Sequence, residues 1–92
     1  MKLFKTHYFT RVEKKFLKSH KTLFNDYIST LSKLESNPFD ESLKTHRLKG
    51  DLSEFYACRI NYSFRLVITI KMSEESITLI NIGNHDEVYK CH

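Results

Sequence analysis

The feature that most constrains the fold is a switch to period-two patterning in the second half of the chain. Across residues 56–62, 64–71 and 77–82, side-chain character alternates from one residue to the next. Successive side chains of a β-strand point to opposite faces, so this alternation predicts three strands with one buried face. Polar segments around Tyr62-Ser63 and Ser73–Glu75 predict the turns of an antiparallel meander.

Two arginines occupy the other parity of these strands. Arg59 and Arg65 alternate with the apolar positions, and a meander can bring both to one face. A guanidinium group offers a rigid fork of donors that matches a phosphate. The pattern therefore predicts a phosphate-binding face, and the structural alternatives are paired surface arginines or ion pairs with Asp51 and Glu54.

The first half of the chain has helical patterning. A short strand at Lys2–Tyr8, expected at or near a sheet edge, precedes Thr10 and Glu13, which have the spacing of a capping box. A basic amphipathic helix follows, and after a break at residues 19–22 a second helix carries an apolar stripe. That helix is expected to end at Asn37-Pro38, because the residue before proline avoids the α region.

These elements define the fold class. Residues 39–54 are polar and irregular, with Leu43, Leu48 and Leu52 as predicted anchors to the body. The order β-α-α-β-β-β predicts an α+β fold, with an antiparallel meander sheet, two helices packed on one face and the other face partly open. A chain of 92 residues that is 40% apolar is expected to form a single domain over residues 1–92.

Charge is unevenly distributed. Residues 1–24 carry seven Lys or Arg against one Glu, a net +6, whereas residues 25–42 carry one Lys against four acids, a net −3. The remainder carries seven bases and six acids, a net +1, which completes the total of +4. A basic segment attracts polyanions, so Lys14, Lys15 and Lys18 are candidate RNA-backbone contacts, and a solvated helix face is the alternative.

No segment predicts export or membrane insertion. The N-terminus lacks an apolar stretch of roughly 7–15 residues, and no run approaches the roughly 20 residues of a membrane span. Cys58 and Cys91 form neither a CxxC pair nor a disulfide framework. A cytoplasmic protein without a membrane partner is therefore expected.

Two of the five histidines are candidates for catalysis. His46 precedes the meander and His85 follows its last strand, whereas His7, His20 and His92 are expected to be incidental. Imidazole titrates near neutral pH, so a pair can divide the general-base and general-acid roles. An isolated histidine that is structural or merely exposed is the alternative for each.

A zinc site is the alternative to these roles. His85, Cys91 and His92 cluster near the end of the chain, but their H-x5-C-H spacing matches no common zinc site. Neither a metal nor another cofactor is predicted.

Four segments together resemble toxins of the RelE/ParE superfamily. They are Thr45–Gly50, Tyr56–Ile60, Phe64–Ile68 and Ile82–Tyr89. The pattern is most similar to the YafQ-like branch, in which a similar Gly-x-His-Asp-x-Val-Tyr stretch ends the motif. With the helix pair and the break at Asn37-Pro38-Phe39, the resemblance covers nearly the whole chain.

This resemblance implies the toxin of a type II toxin–antitoxin system. Such toxins are metal-independent endoribonucleases, or mRNA interferases, which commonly cut messenger RNA in the A site of the 70S ribosome. A cognate antitoxin wraps the toxin and stops cleavage. A hetero-oligomeric toxin–antitoxin complex is therefore implied.

The resemblance also implies roles for individual residues. His46 corresponds to the histidine before the meander and Arg65 to the arginine of the family's aromatic-Arg-Leu-Val strand. His85 matches the acid/base position after the last strand. Tyr89 matches the closing aromatic residue, which can stack on a base or orient the phosphate. Which histidine is the base stays open.

The chain departs from the YafQ-like pattern at two positions. Arg59 and Ser63 stand where these enzymes can carry a further histidine and aspartate. The departure argues against a detailed proton relay and favours stabilisation of the phosphate charge by the cations Arg59 and Arg65. Lys49, within the first motif, completes the predicted RNA or phosphate ligands.

Two other functions fit the same fold, because fold does not decide function. A ParE-like toxin without nuclease activity would inhibit DNA gyrase by binding. A decayed or regulatory module would bind only its antitoxin and DNA. The histidine-containing ends of the meander favour catalysis, since a protein that only binds does not need them.

Overall fold

The computed structural model of the protein describes residues 1–89. Its elements in chain order are β1 (Lys2–Lys5), α1 (His7–Ser19), α2 (Phe24–Ser36), β2 (His46–Arg47), β3 (Tyr56–Arg59), β4 (Phe64–Lys71), β5 (Ser76–Asn84) and α3 (His85–Tyr89). The predicted alternatives that involve Cys91 and His92 lie outside the described residues.

A five-stranded mixed sheet with the order β1-β5-β4-β3-β2 forms the centre of the fold. Strands β3, β4 and β5 are the predicted antiparallel meander. Strand β1 lies at the edge, as predicted, and pairs in parallel with β5. The two-residue strand β2 extends the opposite edge by antiparallel pairing with β3. The predicted α+β class is confirmed, with two strand pairings added to the meander.

Helices α1 and α2 cover one face of the sheet, as predicted. Side chains of one parity in β3 and β4 meet the apolar stripes of the helices and form the main core. The buried residues of this core are Phe9, Phe16, Tyr27, Leu34, Leu43, Cys58, Ile60, Leu66, Ile68, Ile77, Leu79 and Ile82. Burial raises the pKa of the Cys58 thiol to about 12, which makes this cysteine a packing residue rather than a nucleophile.

Helix α1 begins one turn earlier than its sequence predicts. The predicted cap at Thr10 is wrong, because Thr6 is the N-cap and its hydroxyl accepts a hydrogen bond from Phe9 N at 2.9 Å. Strand β1 is correspondingly shorter than Lys2–Tyr8. Glu13 does not reach back to a cap, since its carboxylate forms an ion pair with Lys5 at 2.9 Å and accepts a hydrogen bond from the Tyr27 hydroxyl. This network joins β1, α1 and α2.

Helix α2 ends as predicted, with Asn37 as its C-cap. Helices α1 and α2 have 13 residues each. None of the helices in residues 1–89 has the length and apolar character needed to cross a membrane.

Between the two helices, the ring of His20 contacts Phe16 and Phe64 at centroid distances of 4.7 and 4.6 Å, so this histidine is part of the packing.

The opposite face of the sheet is only partly covered. A second, smaller cluster forms there from Leu48, Ala57, Val67 and Val88. The three predicted anchors all hold the segment before the meander to the body, Leu48 and Leu52 on this face and Leu43 in the main core. Helix α3 also packs here, against β4 and β5. The rest of this face, here called the open face, carries the partly exposed side chains of Arg59 and Arg65.

Strand β5 does not alternate along its whole length. The pairing with β4 shifts between Val67 and Ile68, so that Val67 opposes Asn81 and Ile68 opposes Leu79, with Ile80 in a bulge. A bulge moves the following residues to the other face. Ile82 therefore joins the main core, and Gly83 lies opposite Arg65 on the open face.

Candidate active site

A cleft of about 400 Å³ lies on the sheet face opposite α1 and α2. This main cleft is lined by His46, Arg47, Leu48, Lys49, Arg65, His85 and Tyr89. The four candidate catalytic residues predicted from the sequence therefore share one concave surface, although they come from β2, β4 and α3. Lys49, a predicted RNA ligand, lines the same cleft.

Strand register explains why His46 and the two arginines share this face. Arg59 lies directly opposite Arg65 in the β3–β4 pair, as the meander predicted. His46 lies opposite Ala57, one row further along β3. Directly paired residues point to the same side of a sheet. The imidazole and both guanidinium groups therefore rise from neighbouring strands on the open face.

The Arg65 side chain is held by the turn between β3 and β4. Its Nη1 atom donates to the carbonyl oxygens of Asn61, Tyr62 and Phe64 at 2.9, 3.3 and 3.2 Å. The Asn61 carboxamide oxygen in turn accepts from the backbone N–H groups of Ser63 and Phe64, both at 2.9 Å. This turn shortens β3 relative to the predicted segment and positions the guanidinium group beside the cleft.

His46 is oriented by the backbone of the preceding loop. Its Nδ1 atom lies 2.9 Å from the carbonyl oxygen of Lys44. A carbonyl can only accept, so Nδ1 carries the proton of this hydrogen bond. The neutral imidazole then has its lone pair on Nε2, which is the arrangement that a general base needs.

Helix α3 carries His85 and Tyr89 and begins with a capping box. Asn84 N–H donates to Glu87 Oε1, and Glu87 N–H donates to Asn84 Oδ1, each at 2.8 Å. Gly83 makes the close approach of α3 to the sheet possible, because a Cβ atom there would lie 2.9 Å from the Glu87 Cβ. The first residue of the helix, His85, is thereby fixed at the rim of the cleft.

The two aromatic groups of α3 are in contact. The rings of His85 and Tyr89 are 4.4 Å apart at their centroids in an edge-to-face arrangement. His85 Nδ1 also lies 3.8 Å from Asp86 Oδ1, and both side chains are largely exposed. Burial raises the pKa of the Tyr89 phenol, while the nearby positive charge of Arg65 opposes that rise. Tyr89 is therefore a neutral phenol next to a guanidinium group at neutral pH.

Arg59 lines a second, smaller cleft that adjoins the first. This side cleft has a volume of about 180 Å³ and is lined by Lys44, His46, Arg59 and Arg65. Within residues 1–89, the Lys5–Glu13 ion pair and the contact of His85 with Asp86 are the only close contacts of this kind with a carboxylate, so the alternative that Asp51 or Glu54 neutralises an arginine is wrong. Lys44 was not among the predicted site residues, because its position depends on a loop without periodicity.

The α1 lysines do not reach either cleft. Lys14, Lys15 and Lys18 are exposed on the helix that packs on the opposite face of the sheet. Lys15 lines a separate groove of about 350 Å³ between α1 and β5. The structure therefore separates the predicted basic patch from the predicted catalytic residues.

The arrangement of potential metal ligands gives no support to a metal site within residues 1–89. Across the described part of the chain, no group of three or more His, Cys, Asp or Glu side chains is arranged to hold a metal ion. Two of the three residues of the zinc alternative, Cys91 and His92, lie beyond residue 89.

Comparison with known families identifies the group to which this fold and cleft belong. The family described as bacterial toxin of type II toxin-antitoxin system, YafQ, matches residues 1–90. The chain belongs to the YafQ toxin family. Its membership, predicted from four short motifs, is thereby confirmed, and the protein is the toxin of a type II toxin–antitoxin system. No curated protein sequence gives a significant match.

Solved structures of YafQ-family and related toxins have the same fold. YafQ from E. coli superposes with a TM-score of 0.79 at 16% identity, covering 95% of this chain and 96% of that one. A metal-bound toxin from Helicobacter pylori has a TM-score of 0.76 at 25% identity, covering 97% and 99%. A chain of the YoeB–YefM complex from Staphylococcus aureus has a TM-score of 0.74 at 22% identity, covering 92% and 97%.

Proposed function

We propose that this YafQ-family toxin is an endoribonuclease that cuts messenger RNA by attack of a ribose 2′-hydroxyl on the adjacent phosphodiester. The observation that supports this function is the convergence of His46, Arg65, His85 and Tyr89 in the main cleft. Two imidazoles, a guanidinium group and an aromatic side chain are the groups that such a reaction uses.

The proposed proton transfers follow from the hydrogen bond of His46. Its Nε2 lone pair would accept the proton of the 2′-hydroxyl, because the Nδ1–H group donates a hydrogen bond to the Lys44 carbonyl oxygen. The 2′-oxygen then bonds to phosphorus while the bond from phosphorus to the 5′-oxygen breaks. Protonated His85 would supply a proton to that leaving oxygen. The products are a 2′,3′-cyclic phosphate and a 5′-hydroxyl end.

The proposed role of Arg65 is to stabilise the charge that develops on the phosphate oxygens. A preorganised cationic donor is effective there because it does not have to reorient during the reaction. Three hydrogen bonds to the turn carbonyls hold Arg65 Nη1 in place. Tyr89, beside both Arg65 and His85, would stack on a base or orient the phosphate.

We also propose that cleavage requires no metal ion. The two imidazoles account for both proton transfers, and Arg65 accounts for the phosphate charge. The metal seen in the H. pylori toxin is a property of that protein. Cleavage at an unchanged rate after extensive chelation would support the proposal, and restoration of a lost activity by one added divalent metal would contradict it.

The proposed partners are a cognate antitoxin and the translating ribosome in the cytoplasm. The YoeB–YefM complex shows that a toxin of this fold binds an antitoxin. Messenger RNA and the 70S ribosome are proposed as the substrate and its carrier. Co-purification of the toxin with the product of the neighbouring gene, with loss of cleavage in that complex, would test the first partner.

The proposed function is tested by replacing both groups on which it most depends. Arg65→Ala combined with His85→Ala should abolish message cleavage and growth arrest while the protein stays folded. His7→Ala is the matched control, because His7 is also an exposed first residue of a helix but lies on α1. Sequencing of RNA 5′ ends after brief expression would measure cleavage directly.

Two outcomes would contradict the proposal. Undiminished cleavage in the double variant would show that the main cleft is not the active site. DNA breaks that depend on gyrase, with message intact, would instead establish the ParE-like alternative. Both outcomes are visible in one expression experiment if DNA integrity is measured alongside the RNA ends.

The basic patch on α1 has a separate proposed role. Lys14, Lys15 and Lys18 would contact the backbone of ribosomal RNA or message outside the clefts, since they lie on the other face of the sheet. Replacing all three with glutamine should weaken binding and reduce its dependence on salt. An unchanged salt dependence would show that these lysines do not contact RNA and form only a solvated helix face.

A further inference from the structure

The side cleft is lined by basic side chains and one imidazole. Lys44, Arg59 and Arg65 contribute three positive charges, and the fourth lining residue is His46. Among residues 1–89, no acidic residue lines this cleft and none of its three cations forms an ion pair. Positive charges brought together without a counter-charge repel each other, so an anion bound there would relieve the repulsion.

Strand pairing places two of these three positive residues on the same side of the sheet. Arg59 and Arg65 are directly opposite each other in the β3–β4 ladder, where like charges destabilise a sheet. Arg65 is further fixed by the turn carbonyls, whereas the Arg59 side chain makes no hydrogen bond to another described residue. The cleft thus has one anchored and one available guanidinium group.

The size of the side cleft limits what it can hold. Its volume of about 180 Å³ is below the roughly 300–1,000 Å³ of pockets that enclose drug-sized molecules. A compact anion such as a phosphate group fits this space better than a nucleoside does. The cleft shares His46 and Arg65 with the main cleft, so an anion there would lie next to the proposed scissile phosphate.

The backbone conformation at Lys44 determines which substitution can test its side chain. Lys44 has φ of 53° and ends the short 3-10 helix Glu41–Leu43 in the left-handed conformation, which glycine adopts more readily than lysine. Glu75 has φ of 48° and ends the 3-10 helix Met72–Glu74 in the same way. Glycine therefore suits the backbone at both positions, so replacing Lys44 with glycine removes the side chain without straining the backbone.

We propose that the side cleft is a second phosphate subsite, in which Lys44 and Arg59 bind the phosphodiester adjacent to the scissile one. This inference rests on the proposed function, since it assumes that RNA occupies the main cleft. It extends that function by making the substrate a single strand with at least two consecutive charged phosphates. Lys44 then has two roles, because its carbonyl orients His46 while its amine binds phosphate.

The test separates binding from cleavage. A short single-stranded RNA with 2′-O-methyl sugars lacks the attacking hydroxyl, so its affinity can be measured without any reaction. Lys44→Gly keeps the backbone carbonyl and suits the left-handed conformation, so the protein should fold. We expect its affinity to fall on the order of threefold, as for an exposed ion pair. The slope of log affinity against log salt should decrease by about 0.7, the value for one phosphate of a single strand.

Glu75→Gly is the matched control, because it makes the same backbone change at an equivalent helix end outside the clefts. It should leave both the affinity and the salt slope unchanged. Equal losses in the two variants, or no loss in Lys44→Gly, would overturn the subsite. A wild-type protein that does not bind the oligonucleotide would overturn the subsite as well.

Uncharged linkages then locate the phosphate. Replacing one phosphodiester at a time with a methylphosphonate should identify one position at which wild-type binding falls more than Lys44→Gly binding does, because Arg59 remains in the variant. A uniform response at every position in both proteins would overturn the assignment. If the wild type binds with this signature but never cuts unmodified RNA, the subsite stands and the proposed nuclease function fails.

Discussion

The two faces of the central sheet are built from opposite kinds of side chain. On the helix face, β4 buries Leu66 and Ile68 completely in the main core. On the other face, the same strand presents Arg65 to two clefts, with Arg59 opposite it on β3. Alternation along a strand is enough to produce this difference, because neighbouring residues point in opposite directions.

The contrast shows how a chain of 92 residues can hold a stable core and an exposed cationic site. The helix face removes apolar surface from water and carries most of the stability. The open face has a smaller apolar cluster around Val67 and Val88, which supports α3. Stability and the proposed chemistry should therefore respond to different substitutions, even at adjacent positions.

The largest expected effect comes from comparing residues 65 and 66. Leu66→Ala should lower the free energy of unfolding by about 2–5 kcal/mol, because it leaves a cavity in the main core. Arg65→Ala should lower it by only about 1 kcal/mol, through lost hydrogen bonds to the turn, while cleavage falls about 10²–10³-fold. Urea unfolding and the initial rate of RNA cleavage measure the two quantities.

The prediction requires that each variant loses mainly one property, stability for Leu66→Ala and cleavage for Arg65→Ala. Leu66→Ala should keep most of its cleavage rate under conditions in which it is folded, and Arg65→Ala should keep most of its stability. If Arg65→Ala were the less stable variant, or if both lost activity equally while folded, the division between the faces would be wrong.

The sequence predicted the features that depend on local periodicity. The meander, the end of α2 at Asn37 and the common face of Arg59 and Arg65 all follow from patterns within a few residues. The spacing of Thr10 and Glu13 predicted the wrong N-cap, because Glu13 has long-range partners, Lys5 on β1 and Tyr27 on α2. The carboxylate of Glu13 is therefore used in contacts between elements and not in a cap.

The features that the sequence did not predict depend on distant segments. The parallel pairing of β1 with β5 joins residues more than 70 positions apart, and β2 is too short to show a period. The bulge at Ile80 changes the parity of β5 without a local signal. Lys44 was missed for the same reason, since only the folded chain brings it beside Arg59.

A smaller effect is expected from a substitution in the contact between α3 and the sheet. Gly83→Ala should place a Cβ atom 2.9 Å from the Glu87 Cβ, so α3 must shift away from the sheet. Such overpacking typically costs about 1–3 kcal/mol. Because α3 carries His85 and Tyr89, cleavage should decrease more than the loss of stability alone would explain. The rate should be measured at a temperature where the variant is fully folded.

Gly50→Ala is the control for this substitution. Gly50 has φ of 69°, and a Cβ atom there would meet nothing within 4 Å. Its cost should therefore come from the backbone alone, about 1 kcal/mol, without movement of α3. Equal losses of cleavage in the two alanine variants would show that the position of α3 does not limit the reaction.

The smallest expected effect concerns the ionisable groups of the helix face. Tyr27 is almost fully buried, and burial, followed by its hydrogen bond to the Glu13 carboxylate, raises the pKa of its phenol far above the usual value. A raised folded-state pKa gives stability that is present at lower pH and is lost as pH rises above the unfolded-state value of about 10. The free energy of unfolding should therefore fall above pH 10, by about 1.4 kcal/mol per pH unit for this one group.

The contribution of Tyr27 to the pH dependence of stability can be isolated by mutation. Tyr27→Phe should remove this part of the alkaline slope, because phenylalanine has no proton to lose. Tyr62→Phe, at a position that is 84% exposed, should leave the slope unchanged. Unfolding measured in urea at several pH values between 9 and 11 gives the slopes of all three proteins. A wild-type slope equal to that of Tyr27→Phe would show that the phenol is not held in its neutral form by the core.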